Sequence, residues 1–303
     1  MKTRHSWFRW CSIPASIAPG RNETSSPSSE RGFTLVEMII VMVIMGIIGG
    51  MMAVFIKSPV QGYIDSARRA ELTDIADTTL RRVTRDVRLS LPNSVRIGGS
   101  GTYLEFILTS GGGRYRAEGV DNLDFASVDT SFDVLGPAVA ANAGDSLVIY
   151  NLGQCSDAGC ADTACATPGA DAYQGCNRRT LTSGGSSFVF TSTLALPFDS
   201  PSHRFYVVSQ TDKAVTYACE NIGTVSGNGT GTLTRYAAYG FNPVQQTTGL
   251  GTGALLAKNV SACNMIYTIG EAQRNGLVSM QLAITQNGET VSLYHEVHVS
   301  NVP

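Results

Sequence analysis

Residues that commonly carry out catalysis or bind metals are scarce in this sequence. It has only four histidines, of which His5 lies near the N-terminus and His203 stands alone. His295 and His298 fall in a stretch that alternates like a strand, so their side chains are expected on opposite faces and cannot share a metal. The zinc-protease spacing H-E-x-x-H is absent. A histidine-based catalytic or metal site is therefore not predicted.

Phosphate-binding loops are missing as well. Residues 249–256, GLGTGALL, are rich in glycine, but no G-K-[ST] follows them and the spacing of a dinucleotide-binding turn is absent. We therefore predict a flexible turn there. Because no nucleophile–base pair can be identified either, the sequence favours a protein that is not an enzyme and needs no cofactor.

No spacing typical of a metal site is present. Cys155, Cys160 and Cys165 are five residues apart, unlike the C-x2-C pairs of structural zinc sites. The candidates for a Ca²⁺ site are Asp121 and Asp124, which begin an acidic loop, but EF-hand spacing is absent. We therefore predict no bound metal.

Charge is distributed unevenly, and this bears on nucleic-acid binding. The formal net charge is −2 at pH 7, but residues 1–32 carry a net +3, residues 57–91 a net +2 and residues 92–303 a net −6. A protein that binds nucleic acid through its large domain usually has the opposite sign there. Nucleic acid is therefore not an expected partner.

The positions of the cysteines indicate an oxidising compartment. Of the seven, Cys11 lies in the first 32 residues. An even number remains beyond the hydrophobic run, and all six are candidates for disulfide bonds: Cys155, Cys160, Cys165, Cys176, Cys219 and Cys263. Six cysteines allow 15 pairings, and the sequence selects none of them.

The sequence has one long hydrophobic run. It extends over 24 residues, from Phe33 to Ile56, and its only charge is Glu37. A helix of that length measures about 36 Å, enough to cross the hydrocarbon core of a bilayer. The preceding residues are net positive and no small-residue cleavage site follows the run. We therefore predict a retained single-pass helix, with a cytoplasmic N-terminus and the rest of the chain across the membrane.

Glu37 can be interpreted in two ways. Thr34 and Glu37 fit a capping box, in which the glutamate accepts a hydrogen bond from a free N–H at the helix start. Alternatively, a carboxylate in a membrane segment is costly unless it is paired, and such residues are functional candidates. A newly exposed amino terminus at the same depth would supply the positive charge.

The residues around Glu37 resemble a known signature. The sequence RGFTLVE (residues 31–37), followed by an unbroken apolar run, resembles the N-terminus of type IV pilins and pseudopilins. The resemblance implies that a prepilin peptidase cleaves between Gly32 and Phe33, removes residues 1–32 as a leader and N-methylates Phe33. It also implies that Glu37 neutralises the N-terminal amine of a subunit in the growing filament.

Residues 57–91 are predicted to form an amphipathic helix. Six apolar residues fall at steps of three and four, which places them on one face: Leu72, Ala76, Leu80, Val83, Val87 and Leu91. Val60, Ile64 and Ala67 extend this face backwards. Asp65–Arg69 and Asp77–Arg81 are predicted i,i+4 ion pairs. Pro59 removes one helical hydrogen bond, so a bend or local melting is predicted there on filament packing.

From residue 92 onward apolar residues tend to recur at every second position, which is typical of strands. Eight stretches follow this pattern: 102–109, 145–152, 186–193, 203–210, 214–221, 231–239, 277–286 and 289–299. Asn287 and Gly288 separate the last two and are the pair favoured in a type I′ hairpin turn. A long N-terminal helix packed on an antiparallel β-rich head, residues 92–303, gives a pilin-like α+β fold.

The head is large for a major pilin, which favours a minor subunit. Residues 67–96, 122–136 and 293–303 are similar to prepilin-like proteins of MSHA (mannose-sensitive haemagglutinin) pilus biogenesis. Two alternatives stay open. One is a minor pseudopilin of the J type from a type II secretion system, and the other is a pilus adhesin whose head binds a surface ligand.

The resemblance also implies partners and a location. The expected partners are the prepilin peptidase, other major and minor pilins, the inner-membrane assembly platform and the membrane itself. The protein is expected in the inner membrane with a periplasmic head, and in the pilus after assembly.

Overall fold

The computed structural model describes residues 32–153, 169–270 and 274–303. Most of the predicted leader lies outside these ranges, as do Cys155, Cys160 and Cys165. The chain divides into two compact units, the first ending at Pro59 and the second running from Val60 to Pro303. One helix, α1, spans Leu35–Arg88 and therefore belongs to both.

The first unit consists of the apolar half of α1 and the three residues before it. Every residue from Gly32 to Lys57 is exposed, including the large apolar side chains that make up most of this stretch. Within the described chain, one helix is long and apolar enough to cross a membrane, and this is its apolar half. Exposure of so much apolar surface is unfavourable in water, so this segment needs lipid or other protein around it.

The second half of α1 packs on a sheet through its predicted apolar face. All six residues of that face are at most 2% exposed: Leu72, Ala76, Leu80, Val83, Val87 and Leu91. The backward extension was wrong for the single chain, since Val60 is 50% exposed and Ile64 is 41% exposed. The helix ends at Arg88, before the predicted Leu91, because the Leu91 N–H bonds to the Ile107 carbonyl instead.

Fifteen strands follow the helix among the described residues. They are β1 (Arg96–Gly98), β2 (Tyr103–Ile107), β3 (Thr109–Arg114), β4 (Ser131–Asp133), β5 (Ser146–Ile149), β6 (Arg178–Ser183), β7 (Ser187–Thr191), β8 (Arg204–Val208), β9 (Ala214–Glu220), β10 (Thr224–Val225), β11 (Asn228–Gly229), β12 (Gly231–Tyr236), β13 (Ala254–Ile269), β14 (Asn275–Gln286) and β15 (Glu289–Ser300). All eight predicted strands are present. The structure adds seven more. Strand β13 begins at Ala254, so the turn predicted at residues 249–256 ends at Gly253, three residues early.

A seven-stranded sheet supports the helix. Its strand order is β1-β2-β9-β12-β13-β14-β15, and every neighbouring pair is antiparallel. The buried face of α1 and one face of this sheet form a continuous hydrophobic core. The arrangement confirms the predicted α+β class, with a long N-terminal helix on an antiparallel β-rich domain.

A second, six-stranded sheet closes on itself. Its order is β3-β8-β5-β6-β7-β4, and a bridge between Tyr115 and Val134 then joins the ends of β3 and β4. The Arg116 N–H bonds to the Asp133 carbonyl at 3.0 Å across this seam. Aromatic rings fill the interior: Tyr115, Phe132, Phe188, Phe190 and Phe205. We call this element the small barrel.

Candidate functional site: the helix start and the head surfaces

The start of α1 is capped by a threonine. The Thr34 hydroxyl oxygen accepts the Glu37 backbone N–H at 3.3 Å, and the Thr34 carbonyl accepts the Met38 N–H at 3.2 Å. This is the threonine half of a capping box. The glutamate half is not formed: within the described chain, the Glu37 carboxylate accepts no hydrogen bond and forms no ion pair.

Glu37 is therefore an exposed carboxylate surrounded by apolar side chains. Leu35, Val36, Met38 and Ile39 are all exposed around it. In lipid or in a packed protein interior, a lone carboxylate is unfavourable unless a cation pairs with it. The geometry leaves this group free to accept a partner from another chain.

The comparison with protein families identifies this region. Residues 27–53 match the model described as the prokaryotic N-terminal methylation motif. The chain carries a prokaryotic N-terminal methylation motif. No curated protein and no solved structure matches the chain. The motif supports a type IV pilin-like or pseudopilin protein, and with the apolar helix it indicates membrane anchoring and a role in a pilus-like assembly.

Two glycines in the methylation-motif helix lie on one face. Gly46 and Gly50 are four residues apart, and a Cβ added at either would meet nothing within 4 Å. Glycine in a helix costs about 1 kcal/mol relative to alanine, and no contact within the described chain offsets that cost here. Small residues at this spacing allow close helix–helix approach in membranes. The motif alone did not reveal this feature.

Pro59 lies inside α1, which is helical on both sides of it. The proline leaves the Phe55 carbonyl without its helical N–H. The predicted bend on filament packing concerns an assembled state and stays a prediction.

The last turns of α1 are held to the seven-stranded sheet by charged groups. The Asp86 carboxylate is nearly buried and accepts hydrogen bonds from the Tyr217 hydroxyl at 2.7 Å and from Arg235 Nε at 3.0 Å. Arg235 also donates to Asp212 at 3.3 Å. Burial, followed by the Asp86 hydrogen bond, raises the pKa of Tyr217 above its usual value of 10. The network fixes where α1 meets the sheet.

Nearer its middle, α1 contacts the edge strand β15. Arg69 donates to both carboxylate oxygens of Glu289, at 2.8 and 3.3 Å. The predicted Asp65–Arg69 pair was therefore wrong, because Asp65 lies 3.6 Å from Arg68 instead. The predicted Asp77–Arg81 pair is confirmed, at 2.6 Å. His295 Nε2 lies 3.6 Å from Asp77 on α1, so this histidine faces the helix.

The turn before β15 is also tied to a neighbouring hairpin. Asn287 and Gly288 have φ values of +51° and +84°, as a type I′ turn requires. The Asn287 N–H donates to the Asn228 side chain at 2.8 Å, and the Gly288 N–H donates to the Gly227 carbonyl at 2.8 Å. The hairpin tip thus contacts β10–β11 as well as carrying Glu289 toward α1.

A second charged cluster is centred on Glu105 of strand β2. Glu105 is 0% exposed and accepts two hydrogen bonds from Arg96, at 2.9 and 3.1 Å. The Tyr239 hydroxyl donates to the same carboxylate at 3.0 Å, and the Arg96 guanidinium stacks 3.7 Å from the centre of the Tyr173 ring. Burial raises the pKa of Tyr239 above its usual value. Sequence reasoning did not find this cluster, because Glu105 sits at an ordinary strand position.

Cysteines reinforce the head. Cys219 on β9 and Cys263 on β13 form a disulfide bond. Cys176 is buried and is also disulfide-bonded. The other three predicted disulfide cysteines lie outside the described residues.

The candidate calcium ligands are used within their own loop. Asp124 accepts the Ser127 hydroxyl at 2.6 Å and the Ala126 N–H at 2.8 Å, and the hydrogen bond from Ser127 is the main reason that its pKa is lowered. The Asp121 carbonyl accepts the Asp133 N–H at 2.9 Å. Across the described ranges, no three His, Cys, Asp or Glu side chains form a group that could hold a metal ion.

His203 lies at one end of the small barrel. Its Nδ1 is 3.5 Å from an Asp199 carboxylate oxygen, and its ring meets the Tyr115 ring edge-on at 5.6 Å. The Tyr115 hydroxyl also donates to Asp199 and accepts the Ser200 N–H at 2.9 Å. Burial is the main reason that the pKa of Tyr115 is raised. These contacts hold the loop before β8 in place.

Proposed function

We propose that this chain is a minor pilin-like subunit of a type IV pilus of the MSHA type, acting in pilus biogenesis and the initiation of assembly. The prepilin peptidase cleaves after Gly32 and N-methylates Phe33. The apolar half of α1 then anchors the subunit in the inner membrane, with the N-terminus cytoplasmic and the head periplasmic. The protein acts by association with other pilins and has a structural role.

The observation that carries the proposal is the unpaired carboxylate of Glu37 on an exposed apolar helix. Cleavage after Gly32 creates an amine four residues before it. The exposed apolar surface favours transfer of the helix from lipid into a filament core, where water is excluded and charges attract strongly. Pairing of Glu37 with the amine of a neighbouring subunit would offset the cost of moving both charges there.

The size of the head supports a minor rather than a major subunit, and the similarity of three stretches to the MSHA pilus biogenesis protein MshO supports the MSHA type. The same features fit a J-type pseudopilin of type II secretion. The neighbouring genes distinguish these two functions. Pilus genes beside the gene for this protein would support the MSHA-type pilus, and secretion genes would support the pseudopilin.

The proposal is tested by Glu37→Ala and Glu37→Gln in cells that make the filament. Both variants should insert into the membrane and be cleaved normally, because neither change lowers the hydrophobicity of the segment. Both should be depleted from sheared filaments, since neither side chain carries the charge that pairs with the amine. Glu71→Gln, an exposed position on the same helix, is the matched control and should be incorporated normally.

Deletion of the gene separates assembly from attachment. Loss of all filaments is expected for a subunit that initiates assembly. Normal filaments that no longer attach to surfaces would replace this proposal with the adhesin alternative, and normal incorporation of Glu37→Gln would contradict the charge-pairing step.

A further inference from the structure

The seam of the small barrel is closed beside Tyr115 and open beside Gly112. At the closed end, Tyr115 bridges Val134, and the Leu135 N–H bonds to the Arg114 carbonyl at 2.7 Å. If this register continued, Pro137 would lie opposite Gly112. Proline has no N–H to donate, and Gly136 has a φ of +132°, which turns the chain away. The opening therefore follows from the sequence at Gly136 and Pro137.

The open part of the seam presents free backbone groups. In an antiparallel pair, alternate residues bond to the neighbouring strand and the residues between them face away. The Tyr115 N–H bonds to the His203 carbonyl, so Gly113 and Gly111 also face β8, while Arg114 and Gly112 face the seam. Within the described chain, the N–H and carbonyl of Gly112 have no hydrogen-bond partner on the seam side.

A groove of about 640 Å³ lies along this open edge. One wall is strand β3, whose three consecutive glycines carry no side chains, so the backbone is accessible at Gly112. Val139 packs close to Gly111 and Gly113. The other wall is apolar and includes Leu135, which is 58% exposed, together with Pro137 and Val139. The Thr109 N–H bonds to the Leu89 carbonyl at 2.9 Å, so the open stretch consists of residues 110–113. Four strand residues span about 13 Å, which gives room for a short extended segment.

Two arginines lie at the mouth of the groove with no acidic partner. Arg114 and Arg204 are directly opposite each other on β3 and β8, so their side chains share one face. Like charges in this position destabilise a sheet. Neither has a carboxylate within 4.0 Å among the described residues, whereas Arg96, Arg116 and Arg235 of the head all form ion pairs. Arg204 does contact the Tyr206 hydroxyl, which leaves its charge unbalanced. The charge of the groove therefore complements a carboxylate.

We propose that this groove binds an extended segment of a partner protein, which pairs with the backbone at Gly112 and places a carboxylate side chain against Arg114 and Arg204. Strand addition of this kind takes affinity from main-chain hydrogen bonds and specificity from side chains on one face. The inference goes beyond the proposed function and does not need it, because binding can be read from the purified chain alone.

The test uses the full-length protein in detergent and a fluorescein-labelled peptide of seven residues, alternating threonine and valine around one central glutamate. Fluorescence anisotropy should show that this peptide binds about tenfold more tightly than the same peptide with glutamine, since a charge-assisted hydrogen bond is worth about 1.4 kcal/mol more. N-methylation of the central backbone amides should abolish binding.

Variants of the protein locate the site. Arg114→Gln combined with Arg204→Gln should remove the preference for glutamate, and Leu135→Asp should reduce binding of the glutamate peptide at least tenfold. The matched controls are Arg82→Gln, on an exposed part of α1, and Val120→Asp, an exposed apolar position outside the groove. Both should bind like the unmodified protein, with unchanged circular dichroism in all variants.

Three results would overturn the inference. These are no binding of the glutamate peptide by the unmodified protein, equal binding of the glutamine peptide, and binding that survives Leu135→Asp. Concentration-dependent self-association that Leu135→Asp abolishes would assign the groove to a second copy of this chain instead.

Discussion

Arg235, on the central strand of the seven-stranded sheet, donates through Nε to the carboxylate of Asp86 near the end of α1, at 3.0 Å. The two side chains are 15% and 12% exposed, so solvent screens the contact only partly. This contact joins the second half of the long helix to the middle of the sheet on which it packs. At this point the helix and the head are held together by charged groups as well as by their hydrophobic core, as they also are at Arg69 and Glu289.

Loss of Arg235 should destabilise the head. Arg235→Leu removes the closest cation from the nearly buried Asp86, which keeps the Tyr217 hydroxyl as a donor and Arg85 at 3.8 Å. Loss of the charged hydrogen bond should cost about 2 kcal/mol. Thermal unfolding followed by near-ultraviolet circular dichroism measures the effect. Arg82→Leu, on an exposed part of the same helix, should change stability by less than about 0.5 kcal/mol. A loss no larger than that of this control would show that the pair contributes little.

Removal of Arg96 should destabilise the head. Arg96→Met leaves the fully buried Glu105 without its cation, and the Tyr239 hydroxyl then remains as a donor to this carboxylate. Breaking a buried ion pair by removing one partner should lower the free energy of unfolding at pH 7 by about 3–5 kcal/mol. Denaturant unfolding followed by circular dichroism measures the loss.

A second change distinguishes charge from packing at this cluster. Glu105→Gln added to Arg96→Met removes the buried charge and keeps the shape of the side chain. It should recover much of the stability that Arg96→Met loses. If the double variant is no more stable than Arg96→Met, lost packing of Arg96 on Tyr173 explains the effect instead.

The contact between Arg69 and Glu289 should be visible in a titration. The hydrogen bond from Arg69 holds the pKa of Glu289 below its ordinary value of 4.5. Arg69→Gln should return this pKa toward 4.5, which carboxyl-carbon NMR can follow. A lowered folded pKa contributes stability at neutral pH that is lost as pH falls below about 4.5. An unchanged Glu289 pKa in Arg69→Gln would disprove the contact in solution.

The disulfide between Cys219 and Cys263 should contribute substantially to stability. It closes a loop over a sequence separation of 44 residues. Chain-entropy arguments give a stabilisation of about 4 kcal/mol for a loop of that size. Cys219→Ser combined with Cys263→Ser should lower the free energy of unfolding by about that amount. Stability equal to that of the unmodified protein would contradict this.

Local sequence patterns predicted those elements in which apolar residues recur at one regular spacing. The apolar stripe from Leu72 to Leu91 was found because one helix face meets one sheet face, which gives a repeat of three and four. The last hairpin was found because Asn287 and Gly288 favour positive φ. Strand β13 was missed because its 16 residues mix exposed and buried positions without clean alternation, and a register shift lies within it.

The sequence by itself determined the processing motif, the apolar helix and the α+β class, because each depends on residues close together in the chain. Only the tertiary structure decided which charges distant in the sequence meet. Arg69 contacts Glu289, 220 residues away, rather than the nearby Asp65. Tyr115 and Val134 close a barrel that no sequence repeat predicts. Such contacts depend on how distant strands pair, and the period of any one segment carries no information about its distant neighbours.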